Sequence, residues 1–480
     1  MTRWGCWVPY VHANCNHNET VALLKRSLGP TPEPADGCSA LKPAFKRLAR
    51  VASRYGGDKW DYLETAKSYT GALRRRYLEA ERSLREDGRL SSSDYLLKAF
   101  LKAEKLGEKV AKPRLIFPRS PRYCLALASW LKPFEHWLWG NLQSVGTRGV
   151  KKTRVVAKGL NAVERANLIR RKMRHVRDCV VFEVDGKAFE AHQGVEQLRL
   201  EHTIYGAAYP GATDLQRLLA VQLKMCGKTA GGVRFEREGG RASGDFNTGM
   251  GTTLVMLSVV DTVMRLTGAR QYDCLVDGDN ALIFLRRADV PLVVPRFHDL
   301  AKHVSGHEMV LERPVDYFEG VRFGQSQPVL ADGKWRMVRD WRKVLSGGTA
   351  SHRWLNEPRF AREYLRGVGI CESHLNRGVP ILGKWAETLL TRTEIGRSVR
   401  MEPHRDYQVL GVRFEGLEAG QYRPPTREAR ETFARAFGVE PELQVEIEAW
   451  LARGQALVVP VQPLEPSREF PDPYCQADDW

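Results

Sequence analysis

The sequence predicts an α+β fold, an antiparallel sheet flanked by helices, and three stretches carry that expectation. Tyr272 to Val276 and Ala281 to Leu285 are short apolar runs on either side of the acidic string VDGDN. Cys179 to Val184 is a third such run, and it ends on Asp185. Thr252 to Leu266 is apolar-rich and long enough for a helix, with Gly268 to stop it. Short apolar runs bounded by turn residues read as buried strands, and longer ones as helices.

From the N-terminus, Cys6, His12, Cys15 and His17 superficially form a zinc set, but C-x8-C with interleaved histidines lacks finger spacing, and a loop or buried cluster is expected instead. Pro30 to Gly37 (PTPEPADG) reads as a linker. Ala72 to Arg85 alternates arginines with Tyr77 and Leu78, a helix suited to lining an RNA channel or to an ordinary amphipathic face. In Lys112 to Tyr123, KPRLIFPRSPRY, the prolines are expected to hold Lys112, Arg114, Arg119 and Arg122 on a rigid extended strip. Guanidinium groups grip phosphate oxygens in a forked geometry and keep their proton, so such a strip suits a triphosphate.

The Gly239 to Gly251 loop, GGRASGDFNTGMG, then feeds the apolar helix. Its glycines permit close approach of backbone to a ligand, and Ser243, Asp245, Asn247 and Thr248 offer donors and acceptors for ribose, base or template. In the acidic string, Asp277-Gly278 is the dipeptide expected to close a two-residue hairpin turn. An acidic tip by itself is often merely solvated, but Asp185 at the end of a second strand makes a pair with Asp279. Two carboxylates side by side can hold magnesium, and two ions about 4 Å apart clamp the attacking and leaving oxygens of a phosphoryl displacement. Beyond Gly348, Arg427 to Phe437 and Glu440 to Arg453 read as helices, and Pro460 to Trp480 as a mobile tail.

Composition narrows the partner. Lys and Arg total 74 against 57 Asp and Glu, a net charge of +17 over 480 residues, which favours a polyanion such as nucleic acid. A basic surface alone also fits a ribosome-associated or membrane-surface protein. Nine cysteines without paired spacing argue for a reducing compartment. No apolar run approaches the roughly 20 residues of a membrane span, since Gly251 to Leu266 is interrupted by Asp261 and Arg265, and no signal peptide is evident.

In order and wording these blocks resemble the RNA-dependent RNA polymerases of tombusvirus-like positive-strand RNA viruses. The resemblance begins near Trp60 with WDYLETAKSYTGALRRRYLEA and LLKAFLKAEKL, and runs through KPRLIFPRSPRY and both carboxylate blocks. It continues through Glu312 to Val315, FGQSQPV, and KWRMVRDWRKVLSGGT (Lys334 to Thr349). It implies a right-hand polymerase of fingers, palm and thumb. Residues 1–178 would form an N-terminal extension and fingers, 179–345 the palm with an inserted fingers segment at about 192–240, and 346–480 a helical thumb and tail.

The resemblance further implies that Asp185 and Asp279, with Asn280, ligate two divalent ions, magnesium or manganese. Lys112, Arg114, Arg119 and Arg122 would hold the triphosphate, and Ser243, Gly244, Asp245, Asn247 and Thr248 would meet nucleotide and template. Lys102 and Lys105 match a basic segment at the template entrance, although lysines on a charged helix are often simply solvated. Lys302 is the nearest candidate for a general acid. The implied partners are single-stranded RNA template, nascent RNA and ribonucleoside triphosphates. Viral or host replication proteins would recruit the chain to membrane-associated replication complexes in the host cytoplasm.

Three residues depart from the family pattern. Asn280 stands where the usual GDD has its last aspartate, which removes one formal charge and predicts a weaker magnesium site with greater tolerance of manganese. Asp277 is a possible replacement source of negative potential. Glu190 stands for an aspartate and Thr252 for an asparagine at the pair that checks the ribose, and compensation between them is expected, with relaxed sugar selection as the alternative. These changes also motivate two other readings, a catalytically weakened RNA-binding scaffold and, less favoured, a reverse transcriptase.

Overall fold

The apolar runs around the acidic string pair as a hairpin because both faces of their sheet are covered, which is why they show no polar alternation. Cys274, Val276, Ala281 and Ile283 share one core with Phe182 and Val184 and with the helices Thr248–Thr267 and Val290–Ser305. Leu275, Leu282 and Phe284 share another with Val181 and with Ala166 and Ile169 of the helix Ala162–His175. Lys172 ties that helix to the sheet: its ammonium, wholly buried, lies 2.8 Å from Asp273 and donates at 2.8 Å to Thr153. Removing one partner of such a buried pair costs about 3–5 kcal/mol.

The computed structural model describes residues 3–107, 111–351, 358–396, 398–454 and 466–467. In chain order the described strands are β1 (Val11–His12), β2 (Leu97–Leu101), β3 (Leu115–Ile116), β4 (Cys179–Gly186), β5 (Lys224–Thr229), β6 (Arg234–Glu238), β7 (Tyr272–Asp277), β8 (Asn280–Arg286), β9 (Met309–Leu311), β10 (Ser326–Ala331), β11 (Lys334–Arg339) and β12 (Pro466–Ser467). The central sheet has the order β7-β8-β4-β9 and is antiparallel throughout. A second sheet, β3-β2-β5-β6, joins strands on either side of β4 in sequence, with β2 and β5 parallel, so the chain leaves the central sheet after β4 and returns at β7.

β10 and β11 form a separate hairpin whose Val329, Ala331 and Val338 pack with Trp341, Trp385, Phe433 and Leu451 of the C-terminal helices. That hairpin, counted with residues 179–345 by sequence, therefore shares its main core with the helices of residues 346–480. The helices Gly71–Glu86, Arg427–Phe437 and Pro441–Ala452 lie where the periodicity placed them. Thr248–Thr267 ends at Gly268, whose φ of +81° suits a residue without a Cβ. It is the one described helix long and apolar enough to cross a membrane by length and composition, and most of it is buried inside the fold.

Several local expectations are corrected. Lys102 and Lys105 follow strand β2 in irregular chain, not a charged helix. The basic strip gives way to a helix after Ser120, because Ser120 accepts a hydrogen bond from the Tyr123 N–H (3.1 Å) and Pro121 opens the helix Pro121–Asn141, which puts Arg122 in a helical first turn. The linker packs against the helix Val290–Ser305, with the Ala35 N–H donating to the His303 carbonyl at 2.9 Å. Among the described residues no group of three or more His, Cys, Asp or Glu side chains is placed to hold a metal, Cys6, His12, Cys15 and His17 included. The tail beyond residue 459 lies outside the described residues apart from 466–467.

Candidate active site

Strand register brings the two acidic elements together. β4 and β8 pair so that Asp185 lies directly opposite Asn280, and the Gly186 N–H donates to the Asp279 carbonyl at 3.1 Å. Asp277 pairs with Asn280, so the two turn residues are Gly278 and Asp279, one position later than the Asp277-Gly278 turn expected. Gly278 takes a φ of +64° at the first turn position, which fits the hairpin turn type that glycine favours there. Its N–H donates to the Thr253 hydroxyl at 3.0 Å, so the first turns of the helix Thr248–Thr267 brace the acidic tip.

The surrounding protein partly desolvates both carboxyls and raises the pKa of each. For Asp279 desolvation comes first and the charge of Asp185 second, and the carboxyl is pushed up to about 6. Two acids that resist joint ionisation, with an amide oxygen beside them, are what a divalent cation would stabilise. Asp277 supplies no such potential. Although burial opposes its charge, Lys158 at 3.1 Å and Arg165 at 2.7 Å hold its carboxyl below the usual range and neutralise it.

Of the basic strip, Arg114 faces the site. It pairs with Glu104 at 3.3 Å, is half-buried, and its charge acts on Asp279 and Glu190. Lys112 is exposed with its ammonium 3.4 Å from the Lys25 carbonyl. Arg119 is not available to a triphosphate: its side chain is 1% exposed, paired with Asp245, and donates to the carbonyls of Tyr95 (3.0 Å) and Val221 (3.3 Å). Arg122 is likewise turned away, donating to the Gly88 and Arg89 carbonyls at 2.8 and 2.9 Å. Lys102 pairs with Glu104 at 3.1 Å, and Lys105 donates to the Gly347 carbonyl at 2.7 Å.

The glycine-rich loop divides in the same way. Ser243 accepts from the Phe117 N–H at 3.4 Å, and a Cβ on Gly244 would lie 2.5 Å from the Pro118 Cα, so the loop packs directly on the basic strip. Asp245 and Asn247, expected to meet nucleotide, instead point inward. Asn247 is wholly buried and bonded to Gln222 and Glu201, while Asp245 joins Arg119 and Gln222. Thr248 donates to the Ala242 or Asp245 carbonyl, each at 2.8 Å. Glu190 does not reach Thr252: its side-chain partner is Arg26, at 3.0 Å. Burial opposes ionisation of Glu190, but Arg26 foremost, then a hydrogen bond from its own backbone N–H, and then Arg114 hold its carboxyl below the ordinary value. Lys302 is exposed on the helix Val290–Ser305, where its charge acts on Glu308.

A family model described as viral RNA dependent RNA polymerase matches residues 10–458. The chain belongs to this viral polymerase family. Its relatives include the RNA-directed RNA polymerases of Tobacco necrosis virus (strain A), 29% identical over 90% of the chain, and Red clover necrotic mosaic virus, 29% over 92%. That of Tomato bushy stunt virus (strain Cherry) is 30% identical over 92%. The chain spans 54–61% of the length of these relatives. Polymerases of this family normally use divalent metal ions, and the Asp185, Asp279 and Asn280 cluster has the chemistry to hold them. Around that cluster stand four charged residues not singled out by sequence, Arg26, Glu104, Lys158 and Arg165. Arg26, Lys158 and Arg165 meet partners far away in the chain, which spacing alone does not encode, whereas Glu104 pairs with Lys102 and Arg114 close by in sequence.

Proposed function

We propose that this chain copies RNA by template-directed nucleotidyl transfer from ribonucleoside triphosphates. The observation that carries the reading is the meeting of Asp185, Asp279 and Asn280 across β4 and β8, with Arg114 within electrostatic reach of the acids. In the reaction a 3′-hydroxyl oxygen of the nascent strand attacks the α-phosphorus, the bond to the departing pyrophosphate breaks, and the hydroxyl proton is lost. Asp185, Asp279 and the Asn280 amide oxygen would hold two divalent ions, magnesium or manganese, which when bound activate the hydroxyl and offset charge on the phosphates. Arg114 and Lys112 would draw the triphosphate in. Ser243, Gly244, Thr248 and Thr252 would line the sugar and template side, with Asp245, Asn247 and Arg119 as the buried frame beneath them.

The same reading arranges residues 1–178 and about 192–240 as fingers, 179–345 as palm and 346–480 as thumb, and begins synthesis without a primer. Its partners would be single-stranded template, nascent RNA and replication proteins that bring the chain to membranes in the host cytoplasm. The deciding experiment is template-dependent incorporation of labelled ribonucleotides by the purified protein, in magnesium and in manganese, beside Asp279→Ala. Incorporation by the wild type that the variant loses supports the reading; RNA binding without incorporation in either metal refutes it.

A further inference from the structure

Glu190 has the longer side chain at the position where the family carries an aspartate, and it is held from an unexpected direction. Arg26 belongs to the helical turn Leu23–Ser27, 164 residues away in sequence. Its Nε and one terminal nitrogen both lie 3.0 Å from Oε1 of Glu190. The two side chains are 23% and 26% exposed, so the pair stands at the wall of the site and not in a core.

The turn is fixed on both sides. Leu23 is buried against Leu97, Phe117 and Met225, and Arg237 bridges the Ser27 carbonyl to that of Ala191, the residue after Glu190. Arg26, Glu104, Arg114 and Glu190 thus form a group of alternating charge beside Asp279.

We propose that Arg26 is a positioning residue for sugar selection. By gripping Oε1 it fixes the Glu190 carboxylate so that Oε2 accepts a hydrogen bond from the ribose 2′-hydroxyl of the incoming nucleotide. The inference rests on the polymerase reading above. A glutamate has one more rotatable bond than the aspartate it replaces, and an acceptor left loose loses discrimination, whereas one held in place by a second side chain is pre-organised. A site built to bond a hydroxyl rejects the analogue that lacks it, because the acceptor is then left unpaired. A partly exposed ion pair serving stability alone contributes little and has no bearing on sugar choice.

The test is single-nucleotide incorporation by the full chain on an RNA template, with kcat and KM measured for matched ribo- and deoxyribonucleotides. Arg26→Gln is expected to lower the ribo-to-deoxyribo ratio of kcat/KM roughly tenfold, through a higher ribonucleotide KM with the deoxyribonucleotide values unchanged. Arg26→Lys, which keeps the charge and guards against a folding defect, should retain part of the ratio. In a Glu190→Gln background, Arg26→Gln should have no further effect. An unchanged ratio, or an equal rise in KM for both sugars, overturns the inference and leaves the polymerase reading standing. A wild type as inactive as Asp279→Ala overturns the reading itself, and the inference with it.

Discussion

At the scale of single residues, Asn280 is the departure with the clearest physical consequence. It faces Asp185 directly, while Asp277 is already neutralised by Lys158 and Arg165, so only Asp185 and Asp279 contribute net charge at the tip. A unit charge about 4 Å from an ion contributes about 4 kcal/mol per charge product at an effective dielectric of about 20. A third carboxylate would also repel the first two when no ion is bound, and part of that attraction is spent on the repulsion. Asn280→Asp is therefore expected to lower the half-saturating magnesium concentration at least about tenfold and to narrow the advantage of manganese. Titration of both metals against incorporation by wild type and variant decides the matter, and superimposable curves would sink the idea.

At the scale of elements, the basic strip and the glycine-rich loop are joined by a buried polar chain running from Arg119 through Asp245, Gln222, Asn247 and Glu201 to Arg241. Arg119→Met would strand Asp245 in the interior, and a loss of about 3–5 kcal/mol of stability is expected. Arg114→Met, at a side chain 39% exposed, should cost at most about 1 kcal/mol while raising the KM for nucleotide. Urea unfolding of the two variants beside the wild type distinguishes frame from site, and equal midpoints would refute the distinction. This contrast also marks what the sequence could tell. Strands buried on both faces produce uninterrupted apolar runs, so Cys179 to Val184 and the two halves of the hairpin were legible, as was the helix stopped by Gly268. The partner of each arginine was not, because Arg119 meets Asp245 across 126 residues and Arg26 meets Glu190 across 164. One signal was present and unused: Ser120-Pro121 is a helix start, and it turns Arg122 away from any extended strip.

At the scale of the whole molecule, three buried histidines in different parts of the fold are kept neutral. Burial first, and then the neighbouring His192, pushes His307 down to about 3, while burial pushes His202 and His404 each to about 4. In the unfolded chain all three gain a proton as pH falls through about 6.5, so each makes the native state less stable in acid. Carboxyls raised by burial act in the opposite sense, Glu135, Asp185 and Asp245 among them. Desolvation raises Glu183 to about 7 and Asp279 to about 6, so the native state holds protons there that the unfolded chain has already released. Each of these histidines by itself costs about 1.2 kcal/mol of stability per unit of acidification near pH 5.5. His307 lies against Phe189 with ring centroids 4.0 Å apart and is fully buried, so phenylalanine is a close steric replacement. His307→Phe removes one of the three histidine protons and should lessen the loss of stability between pH 6 and 5 by about 1.2 kcal/mol relative to the wild type. Parallel loss of stability in wild type and variant, measured as urea midpoints at the two pH values, would show that acid acts on the molecule elsewhere.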